Sequence, residues 1–368
     1  MARYRVGIVG CGEVTQILHL PALYFLEELF EIASVCDASA VVADAVSRQC
    51  GPMVKVYGDY HDLVADAAID IVLVACPDIY HYDVAAAAMR AGKHVLIEKP
   101  MCMTLAEADA LQAVQDESGV LVQVGYMRRF ADAYLEARRL LDGARDDIRF
   151  ARVHDFFGAP AAVTNSTSRV IRPTDLSAAI QAELRDIRVQ KIREATGSDD
   201  PRVQMSYSVL LGLSTHDISA MRELLGQPSG LLYATHRHDG RNINAAFDYG
   251  SFVCEFATGM DELPRFDTFI EVYAQSSVMR LDYETPYVRN LPAQLTVQRA
   301  NTATGLSRAT TFGARTDTFV AEWRAFHDSL AAGVAPKTSI ADSRADLEIF
   351  AMIMQAITAA AAQGDAVL

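Results

Sequence analysis

Short apolar runs alternate with helical patterns through the first third of the chain. The runs cover residues 4–9, 32–36, 69–75, 94–98 and 121–124. Each is unbroken rather than two-periodic, as expected for strands buried on both faces of a parallel sheet. Helical patterns over 14–20, 39–50, 80–91 and 104–118 lie between them. Strand and helix repeated in this way predict a doubly wound α/β fold. Gly92 suits the end of one helix, and Thr104 with Glu107 forms a capping box for the next.

The first strand runs into Gly10-Cys11-Gly12-Glu13-Val14-Thr15. Gly10 permits a tight turn, and Gly12 lets the backbone approach a pyrophosphate. The free N–H groups of the following helix face its oxygens. This predicts a dinucleotide site at Gly10, Gly12, Glu13, Val14 and Thr15. Thr15 stands where Gly or Ala is usual, so helix and strand should pack slightly wider there. Asp37 ends the second strand, where a carboxylate accepts from the adenosine ribose hydroxyls. Ala38 and Ser39 follow it without a nearby Arg or Lys to receive a 2′-phosphate. NAD is therefore the expected cofactor and NADP the less favoured one.

Beyond Gly125 the rhythm changes. Helices are expected over 131–141 and 209–225, the latter closed by Gly226, with a strand over 147–157. Strand-like segments at 231–235, 245–249, 252–256, 269–274, 278–282 and 295–298 predict one large antiparallel or mixed sheet. Helices over 317–331 and 340–362 finish the chain. The reading is a Rossmann domain, 1–126, and a second α/β domain, 127–368, for substrate and oligomerisation. A helical insertion at about 159–202 interrupts the second domain. There Leu176, Ile180, Leu184, Ile187 and Ile192 recur at spacings of three to five, an amphipathic helix that buries one face. It is expected to cover the substrate side, with a dimer contact as the alternative.

The 368 residues are 51% apolar and 22% charged, which excludes a disordered or fibrous chain. A net charge of −14 disfavours nucleic acid and anionic membrane as partners. Six cysteines match no metal-binding spacing, so no metal is expected and a reducing, cytoplasmic setting fits. A strand pattern beginning at Tyr4 leaves no room for a signal peptide.

Further motifs carry a family resemblance. Gly92-Lys93-His94-Val95-Leu96-Ile97-Glu98-Lys99-Pro100 resembles the Glu-Lys-Pro strand of the Gfo/Idh/MocA oxidoreductases. Pro77-Asp78-Ile79-Tyr80-His81 is similar to that family's Pro-Asn-x-x-His turn, with Asp78 replacing Asn. Residues 125–130, Gly-Tyr-Met-Arg-Arg-Phe, resemble its domain-crossing segment, and His216-Asp217-Ile218 its catalytic-histidine helix. The resemblance runs over 4–300 and is more specific in the N-terminal motifs.

The resemblance implies an open-faced second sheet with substrate between it and the nicotinamide, and final helices packed back toward the first domain. Lys99 and His216 would be catalytic, with Pro77, His81, Glu98 and Lys99 adding to the cofactor site. Tyr126 and Arg129 are weaker substrate candidates. An aspartate common four residues before the histidine is Gly212 here, and Ser219 replaces another. The expected activity is NAD(P)-dependent interconversion of a secondary alcohol and a ketone on a sugar, cyclitol or related polyhydroxyl compound. Alternatives are a nucleotide-sensing regulator, or a lyase or glycosidase using retained NAD for transient oxidation. A homodimer or homotetramer through the C-terminal sheet is expected.

Overall fold

The computed structural model describes residues 3–362. The chain divides into two compact units. One takes the residues up to Tyr126, together with Thr167–Ala195 and Phe319–Leu347. The other takes Met127–Ser166, Thr196–Thr318 and the chain from Glu348.

The first unit holds strands β1 (Tyr4–Val9), β2 (Phe30–Cys36), β3 (Lys55–Tyr57), β4 (Ile71–Val74), β5 (His94–Glu98) and β6 (Val122–Gly125). They form a parallel sheet ordered β3-β2-β1-β4-β5-β6. Val6, Ile8 and all of β4 are buried because helices cover both faces. The helices are α1 (Leu20–Phe25), α2 (Ala40–Cys50), α3 (Tyr60–Ala65), α4 (His81–Arg90) and α5 (Leu105–Ser118). The strand order reverses between β1 and β4, which opens a crevice at their C-terminal ends. β3 and α3 escaped the sequence reading. β3 has three residues, two of them exposed, so it lacks an apolar run.

The first unit gains helices from two distant segments. In the second unit α6 (Asp132–Leu141) leads to β7 (Ile148–Gly158) and α7 (Pro160–Thr167). Then α8 (Ala178–Thr196) belongs to the first unit up to Ala195. After α9 (Pro201–Val209), α10 (Thr215–Leu225) and seven more strands, α11 (Thr318–Ala332) and the start of α12 (Ile340–Ala362) return to it. Trp323 of α11 is fully buried, edge-on to Phe30 at 5.0 Å. Tyr126 donates to Asp346 at 2.7 Å and is bonded to Ser343.

The remaining strands are β8 (Gly230–Arg237), β9 (Asn242–Asp248), β10 (Val253–Asp261), β11 (Phe266–Ala274), β12 (Ser277–Tyr283), β13 (Gln294–Asn301) and β14 (Gly305–Phe312). The eight-stranded sheet runs β14-β13-β12-β11-β7-β10-β9-β8, antiparallel except where β7 meets β10. Every residue of β14 is exposed, so no apolar alternation announced it. Among the described residues no helix is long and apolar enough to cross a membrane.

Candidate nucleotide and proton-handling sites

Gly10 has φ +95°, and a Cβ there would lie 2.3 Å from the Cys76 nitrogen. Only glycine fits that turn. Gly12 is different: a Cβ there would meet nothing within 4 Å. Protein packing does not require that glycine, so its bare backbone leaves space for a ligand. Asp37 braces the turn by accepting from the Cys11 and Ser39 N–H groups, each at 2.8 Å. Each carboxylate oxygen keeps lone-pair capacity for a ribose hydroxyl. The Thr15 hydroxyl donates to the Gly10 carbonyl at 2.6 Å. The helix opens there as a π-turn, Thr15–His19, wide enough for the threonine that replaces the usual small residue.

These groups wall a crevice of about 620 Å³ within the first unit. Gly10, Gly12, Glu13, Val14, Asp37 and Pro77 line it; Thr15, His81, Glu98 and Lys99 are not among its walls. Size and position suit a dinucleotide at the switch point. Burial pushes the Cys36 and Cys76 thiols up to about 12, so both wall positions stay neutral thiols at ordinary pH.

The other wall comes from the insertion. Ile171, Pro173, Leu176, Ile180 and Leu184 face the crevice. The amphipathic spacing at 176, 180 and 184 was legible in the sequence, but not which surface it would meet. The expected cover over the substrate side is, within the first unit, a cover over the nucleotide crevice. A ladder of polar contacts fastens this strap. Gln16 exchanges two hydrogen bonds with the Ile171 backbone, both 2.9 Å. Arg172 donates to Glu13 at 2.8 Å. Asp175 accepts from the Ser39 hydroxyl and from the Val41 N–H, the latter at 3.2 Å. Arg188 pairs with Asp78, and Lys191 with Glu107 and the Ile79 carbonyl.

At the end of β5 a buried chain leads to Lys99. The Trp323 indole can only donate, and does so to His19 Nδ1 at 3.0 Å. That places the ring proton on Nε2, which donates to Glu98 Oε1 at 2.8 Å. Glu98 Oε2 accepts the Lys99 N–H at 3.0 Å. Burial pushes the Glu98 carboxyl up, but His19 and Lys99 outweigh it and hold it below the usual range. Lys99 is half-buried and precedes a cis peptide to Pro100. His81 braces this region, its ring nitrogens 2.7 Å from the Pro100 carbonyl and 2.8 Å from the Cys76 carbonyl.

In the second unit His216 lies in the first turn of α10, after a π-turn at Leu210–Ser214, with 8% of its surface exposed. A Cβ at Gly212 would meet nothing within 4 Å. Asp217 faces inward, both oxygens 2.7 Å from an Arg128 nitrogen. The same guanidinium lies 3.6 Å from Asp155, which accepts from Thr268 at 2.6 Å. Burial pushes Asp217 well up against the pull of Arg128, and Asp155 adds to the rise. Arg129 donates to Glu223 at 2.8 Å and to Ser219 at 2.9 Å. Tyr126 and Arg129, the weaker substrate candidates, are thus both buried and bonded within their own units. Among the described residues no cluster of three or more His, Cys, Asp or Glu could hold a metal.

Residues 4–126 match the model of the oxidoreductase family with an NAD-binding Rossmann fold. An inositol 2-dehydrogenase of Salmonella paratyphi B is 34% identical over 139 residues, 38% of this chain and 41% of that one. The scyllo-inositol 2-dehydrogenase (NADP(+)) IolW of Bacillus subtilis is 33% identical over 150 residues, 40% of each chain. The matched region thus spans about two fifths of these curated relatives. The fold of KijD10, a 3-ketoreductase from Actinomadura kijaniata solved with NADP and TDP-benzene, covers 97% of this chain and 98% of its own, with TM-score 0.72 and 20% identity.

Proposed function

We propose, for a chain whose residues 4–126 match the Gfo/Idh/MocA oxidoreductase family and its NAD-binding Rossmann fold, that the whole protein interconverts a secondary alcohol and a ketone on a sugar, cyclitol or related polyhydroxyl compound. NAD is the proposed cofactor. The carrying observation is the crevice at Gly10, Gly12 and Asp37, with space above Gly12 that no protein atom fills. The resemblance of 34% to an inositol 2-dehydrogenase supports the choice of substrate class.

When bound, the nicotinamide supplies the hydride acceptor. The chain supplies the proton chemistry. Lys99 takes the proton from the reacting hydroxyl as its carbon loses hydride, and returns it in the reverse direction. Ionised Glu98 holds the Lys99 backbone through its N–H. His216 is proposed as the second proton-handling group.

The test is NAD reduction over a panel of inositols and sugars, with Lys99→Ala as the variant. Loss of a general base should lower kcat by about 10²–10⁴-fold. NAD affinity should stay within about threefold, because the cofactor contacts lie elsewhere. A variant that keeps most of its activity refutes the role. The strap's ion pairs favour a second reading, in which NAD stays bound and is reduced and reoxidised in place. Substrate consumption without net NADH would select it.

A further inference from the structure

We infer that Asp175, carried on the insertion 136 positions from Ser39, is the residue that excludes NADP from the crevice. The inference rests on the reading of the crevice as a dinucleotide site. It adds a determinant to Asp37, which alone was legible in the sequence.

An adenosine ribose held by the carboxylate at the end of β2 sets its 2′ oxygen beside Asp37. A phosphate on that oxygen must find donors nearby. Residues 38–42 read Ala-Ser-Ala-Val-Val and carry no cation. The donors within reach are the Ser39 hydroxyl and the N–H groups opening α2, a helix N-terminus that suits an anion. Ser39 is the N-cap, accepting from the Val42 N–H at 3.2 Å. Its own proton goes to Asp175, and the Val41 N–H goes to the second Asp175 oxygen. The carboxylate therefore occupies the anion position that the 2′-phosphate would need. The Ser39 hydroxyl and the helix N–H groups keep the Asp175 carboxyl below its usual range, so it is ionised at neutral pH.

NADP must then displace Asp175, break both hydrogen bonds and place its phosphate beside two carboxylates, Asp37 and Asp175. NAD brings no charge to that point and leaves the strap fastened. Exclusion arises from an introduced repulsion and from donors already taken, which is how specificity against a close analogue is commonly built.

The experiment is isothermal titration of NAD and NADP into the full-length protein and three variants, each checked for folding by thermal unfolding. Asp175→Asn keeps an acceptor for Ser39 and removes the charge. Asp175→Ala removes both. Arg172→Gln breaks the neighbouring strap anchor to Glu13 and leaves Asp175 in place. In both Asp175 variants NADP should tighten and the NAD-to-NADP affinity ratio should fall by about tenfold or more. Arg172→Gln should weaken both cofactors alike and leave the ratio unchanged. An unchanged ratio in the Asp175 variants, or equal weakening of both cofactors, makes Asp175 a strap anchor only and overturns the inference. So does a native protein that binds NADP as tightly as NAD. A native protein that binds neither overturns the crevice reading itself, and the inference with it.

Discussion

Replacing His19 by leucine should convert Glu98 from a stabilising ionised group into a buried carboxylate that resists ionisation. Glu98 has 6% of its surface exposed and His19 none. In the native protein the Glu98 carboxyl titrates below its unfolded value. Its contribution is therefore present above about pH 4.5 and is lost as pH falls through the folded value. Without His19 only the Lys99 N–H among these bonds remains, and burial dominates. The folded pKa then rises above the unfolded one. The sign reverses: the variant loses stability as pH climbs from the unfolded toward the folded pKa, by up to about 1.4 kcal/mol per pH unit. At neutral pH the deficit should reach about 3–5 kcal/mol, the usual cost of breaking a buried pair from one side.

Urea unfolding of both proteins between about pH 5 and about pH 7 reads this directly, since the gap should widen by about 2 kcal/mol across that range. His19→Leu combined with Glu98→Gln removes the titrating group and should flatten the pH dependence. It should stay about 1–3 kcal/mol less stable than native, because the Trp323 indole N–H is then buried without its acceptor. A gap that is constant with pH, or below about 1 kcal/mol, refutes the chain from Trp323 to Lys99 as an electrostatic support.

Gly12→Ala should leave thermal stability unchanged or raise it by about 0.4–1 kcal/mol, since its Cβ enters open space. NAD affinity should drop at least about tenfold in titration, and unchanged affinity would remove the pyrophosphate from that position. Arg128→Met should cost about 3–5 kcal/mol in urea unfolding, because it strands Asp217 and Asp155 in the core. A loss below about 1 kcal/mol would show that Arg128 is not what holds Asp217 and Asp155 in the core.

The residues that line the candidate nucleotide crevice were largely legible because they are close in sequence and each answers to a local rule. Gly10, Gly12 and Asp37 sit at the ends of two buried strands that periodicity reveals unaided. β3, α3 and β14 were not legible, since short or fully exposed elements carry no burial pattern. The anchors of the strap were hidden for another reason. Asp78, Glu13, Ser39 and Glu107 lie in the Rossmann motifs, while their partners lie between 171 and 191. Long-range charge pairing leaves no spacing signal in a single sequence. Trp323, 304 positions from His19, was hidden in the same way.

Two departures from the family pattern gain a physical account from those partners. Aspartate stands at position 78 where the family turn has asparagine, and in this chain it must hold Arg188, which an amide would bind without charge. Serine at 219 accepts from Arg129, and Glu223, one helical turn on, supplies the carboxylate that the serine lacks. At Gly212 the space is open, since a Cβ there would meet nothing within 4 Å. The Asp78 change concerns the fastening of the strap through Arg188, and the Ser219 change concerns the packing of α10 against Arg129. Of the three changes only Gly212, one turn before His216, lies beside a group proposed to handle the proton. If a missing carboxylate alters this protein's turnover, the change should therefore appear in steps that depend on His216. Cofactor affinity, which the proposed reading places at Gly10, Gly12, Asp37 and the strap, should be indifferent to it.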